Sequence, residues 1–276
     1  MMKLQYFGTA AAEGVPALYC ECPLCQKAKA NGGKDIRTRS QSLVDDRLLI
    51  DLPGDTYAHY LKYGFDLSNI GHLLVTHSHS DHFYAEELVL RLSGYVPQVP
   101  QTLNVYGNQR VYDFMKRVFD LEGYWEKDRI DFHLVTPFES FPVLDYEVTP
   151  LAADHDQRET CLMYDITDGN RRLLYAHDTG EFPQETWDYL ETERPFYHYV
   201  SIDCNHQADN SVRNHQGFPN NLKTRERLLA LGIVDEKTEF VCNHFSHNSK
   251  LTHQEMLDLV TPHGFDVAYD GLIKEF

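Results

Sequence analysis

Basic residues are scarce in this chain of 276: 25 Lys and Arg stand against 42 Asp and Glu, a formal charge of −17. Nucleic-acid binders draw affinity from Lys and Arg that displace condensed counterions, so this balance disfavours a protein whose main task is gripping DNA or RNA. Long apolar runs are missing too. No stretch approaches the roughly 20 apolar residues of a membrane helix, and Met1–Ala10 has neither the basic start nor the apolar middle of a signal peptide. The expectation is a cytoplasmic protein with no membrane partner. Without an internal repeat, a low-complexity tract or a Pro/Gly/Ser-rich linker, one domain over 1–276 is the default.

What the chain does hold is a folded protein's share of hydrophobic residues, 42%, together with 15 histidines and six cysteines. Cys20, Cys22 and Cys25 fall within six residues. In a reducing compartment such a cluster suggests metal before disulfide. Cys161, Cys204 and Cys242 sit in apolar, strand-like runs and read as small core residues.

Period and punctuation predict strands at Lys3–Phe7, around Asp45-Asp46 within Leu43–Asp51, and at Ile70–Thr76, Thr102–Tyr106, Ile130–Val135 and Leu144–Leu151. Further strands are expected at Cys161–Ile166, Arg172–Tyr175, Tyr197–Asp203, Phe240–Asn243, Val267–Tyr269 and Leu272–Ile273. Helices are expected at Asp55–Tyr63, Glu86–Leu92, Gln109–Phe119, Pro183–Leu190 and Leu222–Leu231, with a last one opening on the capping box Thr252 to Glu255. Consecutive strands with helices arriving late in each half suit two sheets packed face to face under helices on both outer sides, an α+β arrangement.

The stretch Thr76-His77-Ser78-His79-Ser80-Asp81-His82 follows a buried strand directly. His77 and His79 are two apart, so extended backbone points both imidazoles to one side, and Asp81 and His82 follow a turn further on. Nitrogen and oxygen ligands packed this tightly suit first-row divalent metals, and four within six residues exceed what one open site needs.

This stretch resembles the signature of the metallo-β-lactamase superfamily, hydrolases with two metals at one edge of a four-layer αβ/βα sandwich. The resemblance implies three further ligands, each at a strand end: His155 in Ala152-Ala153-Asp154-His155, Asp178 in His177-Asp178-Thr179-Gly180, and His244 after Phe240-Val241-Cys242. By that resemblance one metal takes His77, His79, His155 and Asp178, and the other takes Asp81, His82, His244 and Asp178. A carboxylate has two oxygens and can bridge two cations, which an imidazole cannot. His177 is the poorer candidate because neighbours at a strand end face opposite ways.

Three thiolates at Cys20, Cys22 and Cys25 leave a tetrahedral zinc one ligand short, and His247 is the candidate to complete it. An odd offset from His244 on extended backbone turns the two rings to opposite sides. The reading is a structural zinc in a cysteine-rich loop at about 16–30, pinning it to the C-terminal side of the active site; the alternative is a set of free or redox-active thiols.

Gly8-Thr9-Ala10-Ala11-Ala12-Glu13-Gly14-Val15-Pro16, the three cysteines and Asn243-His244-Phe245-Ser246-His247 resemble the phosphoribosyl cyclic phosphodiesterases of the PhnP type. The resemblance implies two catalytic divalent ions (Mn, Zn or Fe, with Mn favoured), one structural zinc, and hydrolysis of a small, cyclic-ribose phosphodiester by a hydroxide held between the two ions. Catalytic candidates are Asp81 and His215, the latter matching the family's catalytic histidine in Arg213-Asn214-His215; Arg213 is read as steadying a phosphate. Surface Arg37 and Arg39 are candidates for a second phosphate. Two stretches that fit the family pattern poorly, Val96–Pro137 and Gln216–Asn221, are expected to shape the pocket.

Competing readings are a tRNA-processing nuclease, a lactone or thioester hydrolase, or a non-catalytic metal-binding accessory protein of cofactor biosynthesis. The charge balance counts against the nuclease. The presence of all seven catalytic-metal ligand candidates counts against the accessory protein. A small-molecule phosphodiester is the expected partner, and a homodimer is an allowed assembly.

Overall fold

In the computed structural model, which describes residues 1–276, the inner strands are buried on both faces, and each face meets a different layer. One seven-stranded sheet is built from β1 (Lys3–Gly8), β2 (Gln41–Val44), β3 (Leu48–Ile50), β4 (His72–Leu74), β5 (Leu103–Gly107) and β6 (Ile130–Leu134). The other contains β7 (Phe141–Val143), β8 (Tyr146–Ala152), β9 (Leu162–Thr167), β10 (Arg172–Ala176), β11 (Tyr199–Asp203), β12 (Glu239–Asn243) and β13 (Phe265–Val267). The last strand, β14 (Ile273–Glu275), returns to pair with β1, giving the orders β14-β1-β2-β3-β4-β5-β6 and β13-β12-β11-β10-β9-β8-β7.

Leu4 and Tyr6 of β1 and Leu173 and Tyr175 of β10 point into the space between the sheets, where they pack with Leu48, Leu74, Val148 and Val241. The alternate residues face outward, as the two-residue period of a strand requires. Phe7, Leu43, Leu73 and Val105 pack under α3 (Glu86–Val89) and α4 (Gln109–Glu122). Leu174, Ala176 and Ile202 pack under α5 (Gln184–Glu193), α6 (Phe218–Leu231) and α7 (His253–Val260). Helix, sheet, sheet, helix is the four-layer αβ/βα sandwich expected from the sequence.

One α-helix and one strand escaped the sequence reading, besides short 3₁₀ turns. Residues 23–31 form α1 (Pro23–Asn31) within the cysteine segment, with Pro at a first-turn position where its missing N–H costs nothing. The edge strand β7 carries Pro142, tolerated there because an edge leaves one N–H side unpaired. Helix α2 (Thr56–Tyr63) falls where expected. The expected strand over Ile70–Thr76 pairs only at His72–Leu74, and the helix over Glu86–Leu92 ends at Val89.

Strands β3, β4 and β5 run parallel in one sheet, as do β10, β11 and β12 in the other. Their C-terminal ends meet at one rim of the sandwich, the place where open α/β sheets gather ligands.

Candidate metal centre

Seven side chains chosen from the sequence converge on that rim, each delivered by a strand end. The segment after β4 turns back on itself, with His82 N–H donating to His79 carbonyl at 2.9 Å, so His77, His79, Asp81 and His82 share one concavity. The backbone there is a turn and not the extended chain the spacing suggested, yet the rings of His77 and His79 still lie 4.6 Å apart. His155 follows β8, Asp178 follows β10 and His244 follows β12. Asp178 and His244 adopt left-handed φ of 49° and 64°. Left-handed backbone at non-glycine residues costs of order 1 kcal/mol each and persists only where the surroundings enforce it.

Two groups of ligand atoms form, each within 4.8 Å of one another: His77, His79 and His155 in one, Asp81, His82, Asp178 and His244 in the other. Asp178 joins them. Its Oδ2 lies 3.3 Å from His77 Nε2, 2.6 Å from His82 Nε2 and 4.0 Å from His155 Nε2, while Oδ1 lies 2.8 Å from His244 Nδ1. His177, the neighbour set aside, turns away and bonds Ser201 Oγ at 2.6 Å.

Outer partners fix the ring nitrogens. His82 Nδ1 donates to Asp51 Oδ2 at 2.6 Å, His79 Nε2 to Asp156 Oδ2 at 3.0 Å, and His155 Nδ1 to the Asn214 carbonyl at 3.0 Å. Each ring therefore presents its other nitrogen, a lone pair, to the shared space. His77 Nε2, Asp178 Oδ1 and His244 Nδ1 are buried and form no hydrogen bond, although Asp178 Oδ1 and His244 Nδ1 are in near contact.

A lone pair facing a carboxylate at 2.6 Å repels it unless a proton or a cation lies between. The electrostatics say the same. Burial opposes charge on His82, but Asp178, Asp51 and Asp81 outweigh it and raise its pKa well above the usual histidine range. Burial likewise opposes His244, and Asp178 overrides it. Burial would raise Asp178, yet His244 and His82 hold its carboxyl far below the carboxylate range. Protons and divalent cations compete for these same atoms, and the donor set of imidazole nitrogen and carboxylate oxygen fits first-row divalent metals.

Cys20, Cys22, Cys25 and His247 form a further group, also within 4.8 Å of one another, with Cys22 Sγ 3.6 Å from His247 Nδ1. The edges of a tetrahedral zinc site with thiolate and imidazole ligands are about 3.3–3.8 Å. His247 pulls the Cys22 thiol down to about 6, while burial pushes Cys25 up to about 11. The reason His244 and His247 diverge differs from the one expected. β12 ends at Asn243, His244 is left-handed and His247 opens a 3₁₀ turn, so a reversal of the chain separates the rings and strand alternation does not. Cys161, Cys204 and Cys242 are buried, as expected.

His215 Nδ1 donates to Asp203 Oδ2 at 3.0 Å and lies 3.3 Å from Asp178 Oδ1. Burial disfavours its charged form, but Asp203 outweighs that and raises it. The loop that carries it approaches Gly180 so closely that a Cβ there would sit 2.5 Å from the Val212 carbonyl. Asp81, Asp178, His79, His155, His215 and His244 open onto a cavity of about 280 Å³.

Three sequence expectations fail here. Arg37 is not a surface residue: it is buried, donating to Thr9 Oγ1 at 2.8 Å and the Ala268 carbonyl at 2.7 Å. Arg39 pairs with Asp55 at 3.0 Å and the Ala12 carbonyl at 2.9 Å, and neither arginine lines the cavity. Arg213 lies outside the cavity and reaches toward Asp154 at 3.5 Å. Neither Val96–Pro137 nor Gln216–Asn221 lines the cavity. The first builds outer strands and α4; in the second, Gln216 is buried against Asp203 and Gly180, and α6 starts at Phe218.

Asp51, Asp156 and Asp203 were missed. Two carried a usable signal, because Leu-Leu-Ile-Asp51 and Val-Ser-Ile-Asp203 each put a carboxylate at the end of a buried apolar strand. A charge in that place needs a partner.

A family model described as the beta-lactamase superfamily domain matches residues 47–199, more than half of the chain. The fold aligns over 100% of this chain and 98% of a crystal structure of a new diphosphatase from the PhnP family, at 23% identity and a TM-score of 0.76. Zinc-bound PqqB from Methylobacterium extorquens aligns over 99% of this chain and 100% of its own, at 19% identity and 0.73. The short form of human tRNase Z aligns over 99% and 98%, at 15% and 0.65. At such identities the likeness carries the fold alone. No curated protein sequence matches the chain.

Proposed function

The chain belongs to the β-lactamase superfamily, a fold family of metal-dependent hydrolases, and from that premise we propose that it is a phosphodiesterase for a small phosphodiester, cyclic on ribose or alkyl. The observation that carries the reading is Asp178, buried and reaching both ligand groups, with Oδ2 toward His77, His82 and His155 and Oδ1 toward His244.

His77, His79, His155 and Asp178 would hold one divalent ion, and Asp81, His82, His244 and Asp178 the other. Cys20, Cys22, Cys25 and His247 would hold a structural zinc. Bound there, the pair of catalytic ions supplies an activated water and charge neutralisation for the phosphoryl group. Manganese is our choice for that pair, by resemblance to the PhnP-type enzymes.

The remaining work falls to the chain. Hydrolysis joins the oxygen of water to phosphorus and breaks one P–O bond, and the departing oxygen needs a proton. His215 is placed to give it. Its Nδ1–H is committed to Asp203, which stabilises the imidazolium, and its Nε2–H has no partner in the chain. Asp203 thus holds the proton on the ring until an alkoxide develops. Asp51 and Asp156 keep His82 and His79 oriented. The PhnP-family diphosphatase, whose fold aligns with the whole chain, is named for hydrolysis at phosphorus, and that name supports chemistry of this kind here.

The test is turnover of the metal-loaded protein against bis(4-nitrophenyl) phosphate, 2′,3′- and 3′,5′-cyclic nucleotides, linear dialkyl phosphates and lactones. Hydrolysis of phosphodiesters ahead of lactones is the expected result; a lactone preference would overturn the reading.

A further inference from the structure

Beside the ligand groups and His215, the cavity is lined by Ala11, Ala12, Glu13, Asn205, His206, Ser246 and Asn248, with neither Lys nor Arg among the residues that line it. Asn205 is 5% exposed. Its backbone is satisfied, N–H donating to Asp203 Oδ1 at 3.1 Å and the carbonyl accepting from Ser249 Oγ at 2.8 Å, but its side-chain amide bonds nothing in the chain. That amide lines the cavity with its donors and acceptor free for whatever enters. His206 lies beside it with both ring nitrogens free, its ring 5.9 Å from that of His215. Ser246 is 4% exposed; its Oγ accepts from Asn248 N–H at 3.2 Å and keeps its own proton to donate. Across the opening, Asn248 Nδ2 donates to Glu13 Oε1 at 3.4 Å.

Building on the phosphodiesterase reading above, we propose that the alcohol portion of the substrate is a neutral polyol, a ribose or nucleoside with free hydroxyls and no terminal phosphate. Hydroxyls both donate and accept, and they match Asn205, His206, Ser246 and Asn248; a free ribose 5′-hydroxyl can also donate to the Glu13 carboxylate. A phosphate monoester does not. It would bring close to two negative charges to a lining that holds the Glu13 carboxylate and no Lys or Arg, in a chain of net charge −17. The cations that the sequence offered for a second phosphate, Arg37 and Arg39, are not among the residues that line the cavity. Specificity of this kind is a penalty on the wrong ligand as much as a reward for the right one.

Adenosine 2′,3′-cyclic phosphate and the same compound carrying a 5′-phosphate form the matched pair that tests this, with bis(4-nitrophenyl) phosphate run alongside on the metal-loaded protein. The expected kcat/KM is at least about tenfold higher for the compound without the 5′-phosphate, with the difference in KM. Glu13→Gln, at an exposed position that tolerates the change, narrows that ratio by improving the phosphorylated partner. Asn205→Ala raises KM for the nucleoside substrate more than for the aryl diester. A binding readout follows the same logic: by calorimetry, adenosine 3′-phosphate binds the loaded protein more tightly than adenosine 3′,5′-bisphosphate. Equal or preferred turnover of the 5′-phosphorylated compound, with the aryl diester hydrolysed, overturns this proposal and leaves the phosphodiesterase standing. No hydrolysis of any of the three diesters overturns both.

Discussion

A carboxylate can offer its two oxygens in different directions, and Asp178 uses that property where no imidazole could replace it. Around it, the histidines are only as useful as their outer partners make them. Asp51→Asn keeps an acceptor for His82 but removes the charge behind it, so titration of the metal-free protein should show affinity for the weaker divalent ion lowered about 10- to 100-fold. An unchanged titration would make Asp51 merely structural. His215→Ala should slow alkyl diesters by about a hundredfold or more and aryl diesters far less, because a nitrophenolate leaves without a proton. Equal slowing of both would remove His215 as donor. Most of this was legible in the sequence, since His77, His79, Asp81 and His82 fall within six positions and announce themselves by type and spacing. The outer carboxylates were not, because Asp51, Asp156 and Asp203 are remote in sequence from the rings they hold and take meaning only from distance.

Strand ends deliver the chemistry, and the segments between them decide how firmly it is held. Helix α1 and the 3₁₀ turn His247–Ser249 come together through the cysteines and through Lys27 Nζ to Glu255 Oε1 at 3.0 Å. Cys22→Ser should therefore remove one tightly held ion per chain and lower the melting temperature while the other ions stay bound; a melting temperature unmoved by both the substitution and a chelator would argue against a structural zinc. At the start of α7, the Thr252 backbone and Lys27 hold the Glu255 carboxyl down from 4.5 to about 2. A depressed carboxyl adds stability that is complete above the unfolded value and fades as pH falls toward the folded one. Wild type should lose stability between about pH 4.5 and 2 more steeply than Glu255→Gln, measured by denaturant unfolding in acid, and parallel curves would remove the carboxylate from that role. Thr252→Ala should cost about 1 kcal/mol at neutral pH. That capping box was readable from Thr-x-x-Glu, whereas α1 was hidden because three cysteines drew the segment toward a loop reading. The alternation argument for His244 and His247 reached the right grouping through the wrong geometry, since a left-handed residue leaves no trace in spacing.

Two seven-stranded sheets close face to face, and the C-terminal ends of both parallel sets meet at one rim. That architecture explains why ligands spread from residue 77 to residue 244 gather in one place, and why their chain order was informative before any distance was known. The surplus of 17 negative charges surrounds a site whose own buried carboxylates, Asp51, Asp81, Asp178 and Asp203, call for cations. On the function proposed above, the charge of the chain and the demand of the site both favour small, metal-anchored substrates over polyanions. Metal content per chain, by mass spectrometry of the purified protein and of Asp178→Ala after identical reconstitution and desalting, bears on this most directly. About three ions per chain should fall to about one in the variant, the survivor being the ion held by the cysteines. Equal content in the two proteins, or a single ion in wild type, would contradict a pair of cations joined through Asp178.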